Sequence, residues 1–247
     1  MFNKAPKISE EGFLNFFKYY KGEEHQVEAI KELYAAINPK LLRETASWIE
    51  TYRNQVEEPV KELAWPITKE QMAEIMKCSA ADLPDSLMND FARCCDMFKL
   101  NKLNIAYFLG QCGHESAGLR YPVEIHSGTN YEYRRDLGNV KPRDGVKFAG
   151  TGWIQVTGRW NHQAFANYLE YKGQPDPNVM MLGKTYTSEV YPWTISGHWW
   201  RTNGMIEFCN ERPDVDEVGA RVNGRYLPNG YQDRRNYTAR AFTVLGI

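Results

Sequence analysis

The chain has 247 residues, 43% of them hydrophobic and 25% charged, with a formal net charge of −1. This is the composition of a soluble globular protein, with room for one large domain or a domain plus a small module. It excludes the strongly basic field of a general nucleic-acid binder, and the opening 17 residues hold no apolar run of the kind found in secretory signals or membrane anchors. The expectation is therefore a chain made in the cytoplasm without a signal peptide, with no nucleic-acid partner and no integral membrane segment. Five cysteines, Cys78, Cys94, Cys95, Cys112 and Cys209, leave one over in any full pairing scheme, which reads as reduced thiols.

Residues 1–54 predict a small helical module. Phe13, Phe16, Phe17 and Tyr20 recur at helical spacing, as do Val27, Ile30, Leu33, Tyr34 and Ile37 before Asn38-Pro39, and then Leu41, Leu42, Thr45, Trp48, Ile49 and Tyr52. A polar stretch then makes 55–65 a linker to a domain over 66–247. In that domain, helical patterns recur at about 68–77, 85–98, 101–114, 159–172, 187–202, 214–221 and 231–245. The best strand signal is Gly152 to Thr157, where Trp153, Ile154 and Val156 lie between glycines. The predicted class is mainly α, with a small β element, preceded by a small helical module. The seven Trp and fifteen Tyr suit either a core or platforms for sugar rings. Arg134, Arg135, Lys141 and Arg143 form the best local basic patch.

Chemistry concentrates on the helix ending at Glu115. Ile105, Phe108, Leu109 and Cys112 mark one buried face that delivers Glu115 to the end of an apolar helix. Withdrawal from water disfavours the charged form of a carboxyl group, the environment a general acid requires near neutral pH. Nine residues on stands Glu124. A continuous helix would put the two on opposite faces, at about 100° per residue, but Gly118 and Pro122 disfavour continuation. A chain that breaks after Glu115 and folds back can set two carboxylates on either side of a substrate, as inverting glycosidases require. Spacing alone favours solvated or capping glutamates over a catalytic pair, since two glutamates nine residues apart occur constantly.

The segment Phe108 to Leu119 (FLGQCGHESAGL), followed by Tyr121 to Glu124 (YPVE), resembles the catalytic region of glycoside hydrolase family 19, which holds chitinases and many phage-type endolysins. Lys147 to Asn161 (KFAGTGWIQVTGRWN) is similar to the family's glycine-rich segment. Ser196 to Trp200 is similar to its aromatic helix, and Arg221 to Gly224 with Asp233 to Arg235 to its C-terminal elements. The resemblance covers about 66–247, leaves 1–54 outside, and implies that 66–247 is a mainly α, lysozyme-like α+β hydrolase domain. It implies Glu115 as general acid, Glu124 as general base and Thr157 as the residue that holds the attacking water. Gln155, Asn161 and Asn223 would hydrogen-bond the sugar, and Arg234 would support the site near the carboxylates. Amide side chains supply the donor and acceptor that an N-acetyl group and hydroxyls need. Two departures stand out. Gly150-Thr151-Gly152 replaces the family's Gly-Arg-Gly, and Arg225 replaces the second glycine of its Asn-Gly-Gly. Glu132 is a second candidate for the base.

The implied activity is endo-acting, inverting hydrolysis of peptidoglycan glycan strands, with no metal or cofactor, after release to the wall or as part of a virion. The compact segment between the glutamates, the short N-terminal module and the absent signal favour a lysin over the alternative, a chitinase acting on N-acetylglucosamine polymers. A rival of another class is a non-catalytic wall-binding or virion structural protein. Residues 1–54 are a candidate for wall or virion contact. Other motifs fall short. A zinc-protease HExxH needs histidine where Gly118 stands, and Gly183-Lys184-Thr185 lacks the first glycine of a phosphate loop because position 178 is Asn178. Cys112, His114 and His126 match no common metal spacing.

Overall fold

The computed structural model describes residues 65–226 and 229–247. The expected module at 1–54 and nearly all of the linker lie outside the described residues. The rest is helical: α1 (Lys69–Met76), α2 (Asp85–Phe98), α3 (Lys102–Glu115), α4 (Asp144–Lys147), α5 (Arg159–Tyr171), α6 (Asn178–Leu182), α7 (Lys184–Val190), α8 (Pro192–Thr202), α9 (Met205–Asn210), α10 (Val215–Asn223) and α11 (Tyr231–Leu245). Short 3-10 turns stand at Ala80–Asp82, Thr129–Tyr131 and Arg135–Leu137.

α3 is buried on every face from Asn104 to Gly113, the mark of a central helix. Asn101 starts it, its side chain accepting from the Asn104 amide at 2.8 Å. α11 lies directly against it. A Cβ on Gly110 would collide with Thr238, and one on Gly113 with the ring of Tyr237. The two glycines therefore permit a backbone approach that any side chain would block. A second pairing joins α2 to α8. The fully buried carboxylate of Asp90 accepts from the amides of Trp193 (2.7 Å) and Thr194 (3.2 Å) and from the Thr194 hydroxyl (2.5 Å). It thus satisfies donors that the N-terminus of α8 cannot pair internally. Phe91, Phe108, Trp153, Trp193 and Trp200 fill the space between these pairs with ring contacts.

Three expectations need correction. Gly152 to Thr157 is a tight turn, and the small β element shrinks to two isolated bridges, Val123 with Thr151 and Thr151 with Val156. Gly152 (φ 70°) and Gln155 (φ 56°) both take the left-handed region, outside the extended conformation of a regular strand. The apolar residues that signalled a strand, Trp153 and Val156, are there to be buried. The helix expected over 187–202 divides into α7 and α8. Pro192 has no amide to donate and serves as the first residue of α8. The short helices α4, α6 and α9 were not anticipated, being too brief to show a period. All five cysteines are free thiols. No helix of the described residues is long and apolar enough to cross a membrane.

Candidate active site

The reversal after Glu115 is built by Ser116. Its buried hydroxyl donates to Cys112 O (2.6 Å) and accepts from the Leu119 amide (2.9 Å), while its carbonyl accepts from Arg120 and Tyr121. Ala117, Gly118 and Leu119 all have positive φ, at 52°, 71° and 65°. Three consecutive left-handed residues stop a right-handed helix and turn the chain back. The fold-back expected from Gly118 and Pro122 is thus present, though Ser116 is the pivot.

Glu115, whose side chain is 21% exposed, is ion-paired to Arg234 from α11, which is 1% exposed. The same guanidinium donates to Gln111 Oε1 (2.6 Å) and Asn229 O (3.0 Å). The amide of Asn229 in turn donates to Asn223 Oδ1 (3.1 Å). One turn before Glu115 on α3, Gln111 faces the same way. His114 pairs with Asp233 through Nδ1 and Oδ2 at 2.9 Å, so two consecutive residues of α11 grip two consecutive residues of α3.

Glu124 is held by different means. Its own amide donates to Gly150 O (2.9 Å), and its Oε2 accepts from the Gly150 amide (3.0 Å). Its Oε1 accepts from the Tyr131 hydroxyl at 2.9 Å. Burial, and next the Glu124 carboxylate, push the Tyr131 phenol above its ordinary value, so it remains a donor across the neutral range. A Cβ on Gly150 would lie 2.6 Å from Gln155 Oε1 and 3.1 Å from Glu124 Oε2, so only glycine lets the strap pass this close to both. Gln155 donates through Nε2 to Tyr121 O (3.1 Å) and Gly152 O (3.3 Å), and its Oε1 is buried without a partner. Thr157 Oγ1 donates to Gln155 O (2.9 Å), and Asn161 Nδ2 donates to Thr157 O (2.7 Å).

Of the seven candidate residues, Glu115, Arg234 and Asn223 are linked through hydrogen bonds by way of Asn229. Gln155, Thr157 and Asn161 form a second chain of bonds that crosses to the reversal at Tyr121. Glu124 shares no bond with either group and approaches Gln155 only across Gly150. Glu132, the second candidate base, instead faces main chain, with Oε1 3.4 Å from the Val146 amide. Sequence reasoning missed Gln111, Tyr131, the Gly150 amide and the His114–Asp233 pair. The doubled adjacency, His114-Glu115 against Asp233-Arg234, was the one readable sign. Thr151, at the family's arginine position, is wholly buried and bonds Thr187 Oγ1 at 3.0 Å. Among the described residues no group of three His, Cys, Asp or Glu side chains could hold a metal ion. Burial, followed by the charge of Glu115, pushes the Cys112 thiol well up.

The chain is 26% identical over 166 residues to a glycosyl hydrolase family 19 domain-containing protein of Haemophilus influenzae, covering 55% of this chain and 76% of that one. The fold matches chitinase C from Streptomyces griseus with a TM-score of 0.53 at 18% identity, over 74% of this chain and 93% of that chain. It matches a bacterial family 19 chitinase with the same TM-score at 17% identity, over 73% and 95%. The chain is thus similar in sequence to a family 19 glycosyl hydrolase domain protein and similar in fold to family 19 chitinases. No protein-family model matches it, in keeping with identities this low and with departures such as Thr151. The match is to the mainly helical, lysozyme-like fold that these chitinases share.

Proposed function

We propose that this glycoside hydrolase cuts the glycan strands of peptidoglycan by single displacement with inversion. Glu115 protonates the leaving glycosidic oxygen. Glu124 takes a proton from water on the opposite face of the sugar, with Thr157 orienting that water through its hydroxyl lone pairs. The bond to the leaving oxygen breaks as the bond from water to the anomeric carbon forms. One observation carries the reading: the two carboxylates are fixed by separate sets of partners, Arg234 for Glu115, and Tyr131 with the Gly150 amide for Glu124. Distinct surroundings are what an acid and a base drawn from one residue type require. Gln155, Asn161 and Asn223 supply amides for N-acetyl groups and hydroxyls.

The nine-residue step between the glutamates supports the lysin assignment because it leaves a compact wall on that side of the substrate. Hydrolysis of chitin is the second reading, favoured by the chitinases among its structural neighbours. Purified protein incubated with sacculi and with chitin oligomers, products read by mass spectrometry, separates them. Muropeptide-bearing glycan fragments are expected, with NMR of the first products showing the inverted anomeric centre. Cleavage of chitin alone would transfer the protein to the second reading.

A further inference from the structure

The segment from Tyr131 to Lys147 carries positive charge that neither carboxylate uses. Arg134 is paired with Asp136, and Arg159 with the buried Asp144. Arg135, Lys141 and Arg143 are exposed and have no acidic partner among the described residues. The segment that displays them is firmly built. Asn139 donates to Tyr131 O (2.9 Å) and accepts from the Arg159 amide (2.9 Å). Asp144 accepts from the amides of Val140 (3.0 Å) and Lys141 (2.8 Å) while Arg159 grips it in a fork (2.8 and 2.5 Å). One end of the platform is thus Tyr131, which holds Glu124. The other is clamped to the start of α5, which carries Asn161.

Apolar surface lies among these cations. Tyr133 is 62% exposed, Val140 57% and Trp160 62%, with the indole of Trp160 resting against Gly138. Tyr133 (φ 56°) and Arg143 (φ 68°) both occupy left-handed backbone, where glycine would sit without steric cost. Long side chains are kept there against the local preference, which points to a use for them. Aromatic faces beside unpaired cations suit a glycan that carries anionic groups, through stacking and charge-assisted hydrogen bonds. Chitin carries no such groups, whereas the stem peptides of peptidoglycan present free carboxylates at intervals along the strand.

We infer that Arg135, Lys141 and Arg143 form a surface that engages the stem-peptide carboxylates of peptidoglycan and so selects the charged polymer over chitin. The inference rests on the peptidoglycan reading above and adds its determinant. The test uses the full chain and the triple variant Arg135→Gln/Lys141→Gln/Arg143→Gln, with thermal unfolding as the folding control. Each is co-sedimented with native sacculi and with sacculi whose carboxylates have been amidated by carbodiimide coupling, at low and high salt, and glycan release is followed in parallel. At low salt, binding of the wild type to native sacculi is expected to exceed that of the variant about tenfold, as three exposed charge contacts allow. The difference should vanish on amidated sacculi and shrink in high salt. Equal binding by the two proteins to native sacculi overturns the inference, as does a difference that survives amidation. Absence of glycan release by the wild type, with the binding difference intact, would instead sink the peptidoglycan-hydrolase reading and leave the charged surface standing.

Discussion

The two carboxylates sit in two differently engineered settings. Glu115 ends a helix buried on all sides, and its partner Arg234 comes from another helix packed against it through glycines. Glu124 lies in irregular chain and is held by one backbone amide and one phenol. The first setting is rigid because moving Glu115 requires moving α3 or α11. The second depends on the strap at Gly150 and the turn at Tyr131, whose main-chain bonds are made by loops. The two sides thus differ in what holds them, helix packing on one and hydrogen bonds between loops on the other.

Substitutions on the two sides should therefore fail differently. Glu115→Gln keeps the shape and the bond from Arg234 but has no proton to give, so turnover should fall roughly a thousandfold with the melting temperature nearly unchanged. Substantial residual glycan release would move the acid elsewhere. Arg234→Ala removes a buried cation and leaves Gln111 and Asn229 O without their donor, which should destabilise the fold by about 3 kcal/mol and lower kcat as well. Denaturant unfolding would check it, and Arg234→Lys should recover stability better than rate. If the alanine variant is as stable as the wild type, the acid side is not the rigid one.

Acid should loosen the second side first. His162 and His198 are buried, and desolvation depresses both to about 4, below the 6.5 of the unfolded chain. Their contribution is complete above pH 6.5 and is lost as pH falls towards 4, on the order of 3 kcal/mol for each at most. Both pack on or beside α5: His162 lies on it against Phe148, and His198 contacts Phe165 and Tyr168. Hydrogen exchange between pH 6.5 and 4 should open α5 before α3 and α11, and simultaneous opening would erase the distinction. The smallest effect belongs to Tyr131→Phe. Losing one of the bonds to Glu124 should reduce kcat about five- to tenfold with little change in stability, and no change would show that the Gly150 amide suffices.

What could be read in the sequence follows the same line. The Glu115 side was legible because its parts are helical: an apolar period led to Glu115, and Arg234 lay in a motif on a well-marked helix. The seven long helices were found to within a few residues, apart from the break at Pro192, whose role as a helix start was overlooked. On the other side, period gave little. Trp153 and Val156 looked like a strand because burial selects the same residues in a turn. Tyr131 and the Gly150 amide reach Glu124 across 7 and 26 residues, through a chain path with no repeating pattern to betray it. Ser116 escaped for a third reason: its hydroxyl acts entirely on local main chain, which a motif reading treats as background.

Thr151 sets a limit on what this position can hold. Its hydroxyl is locked to Thr187 in a space with no exposure at all, so an arginine placed there would bury an unpaired guanidinium against α7. Positive charge on this face of the molecule therefore has to come from side chains that reach solvent.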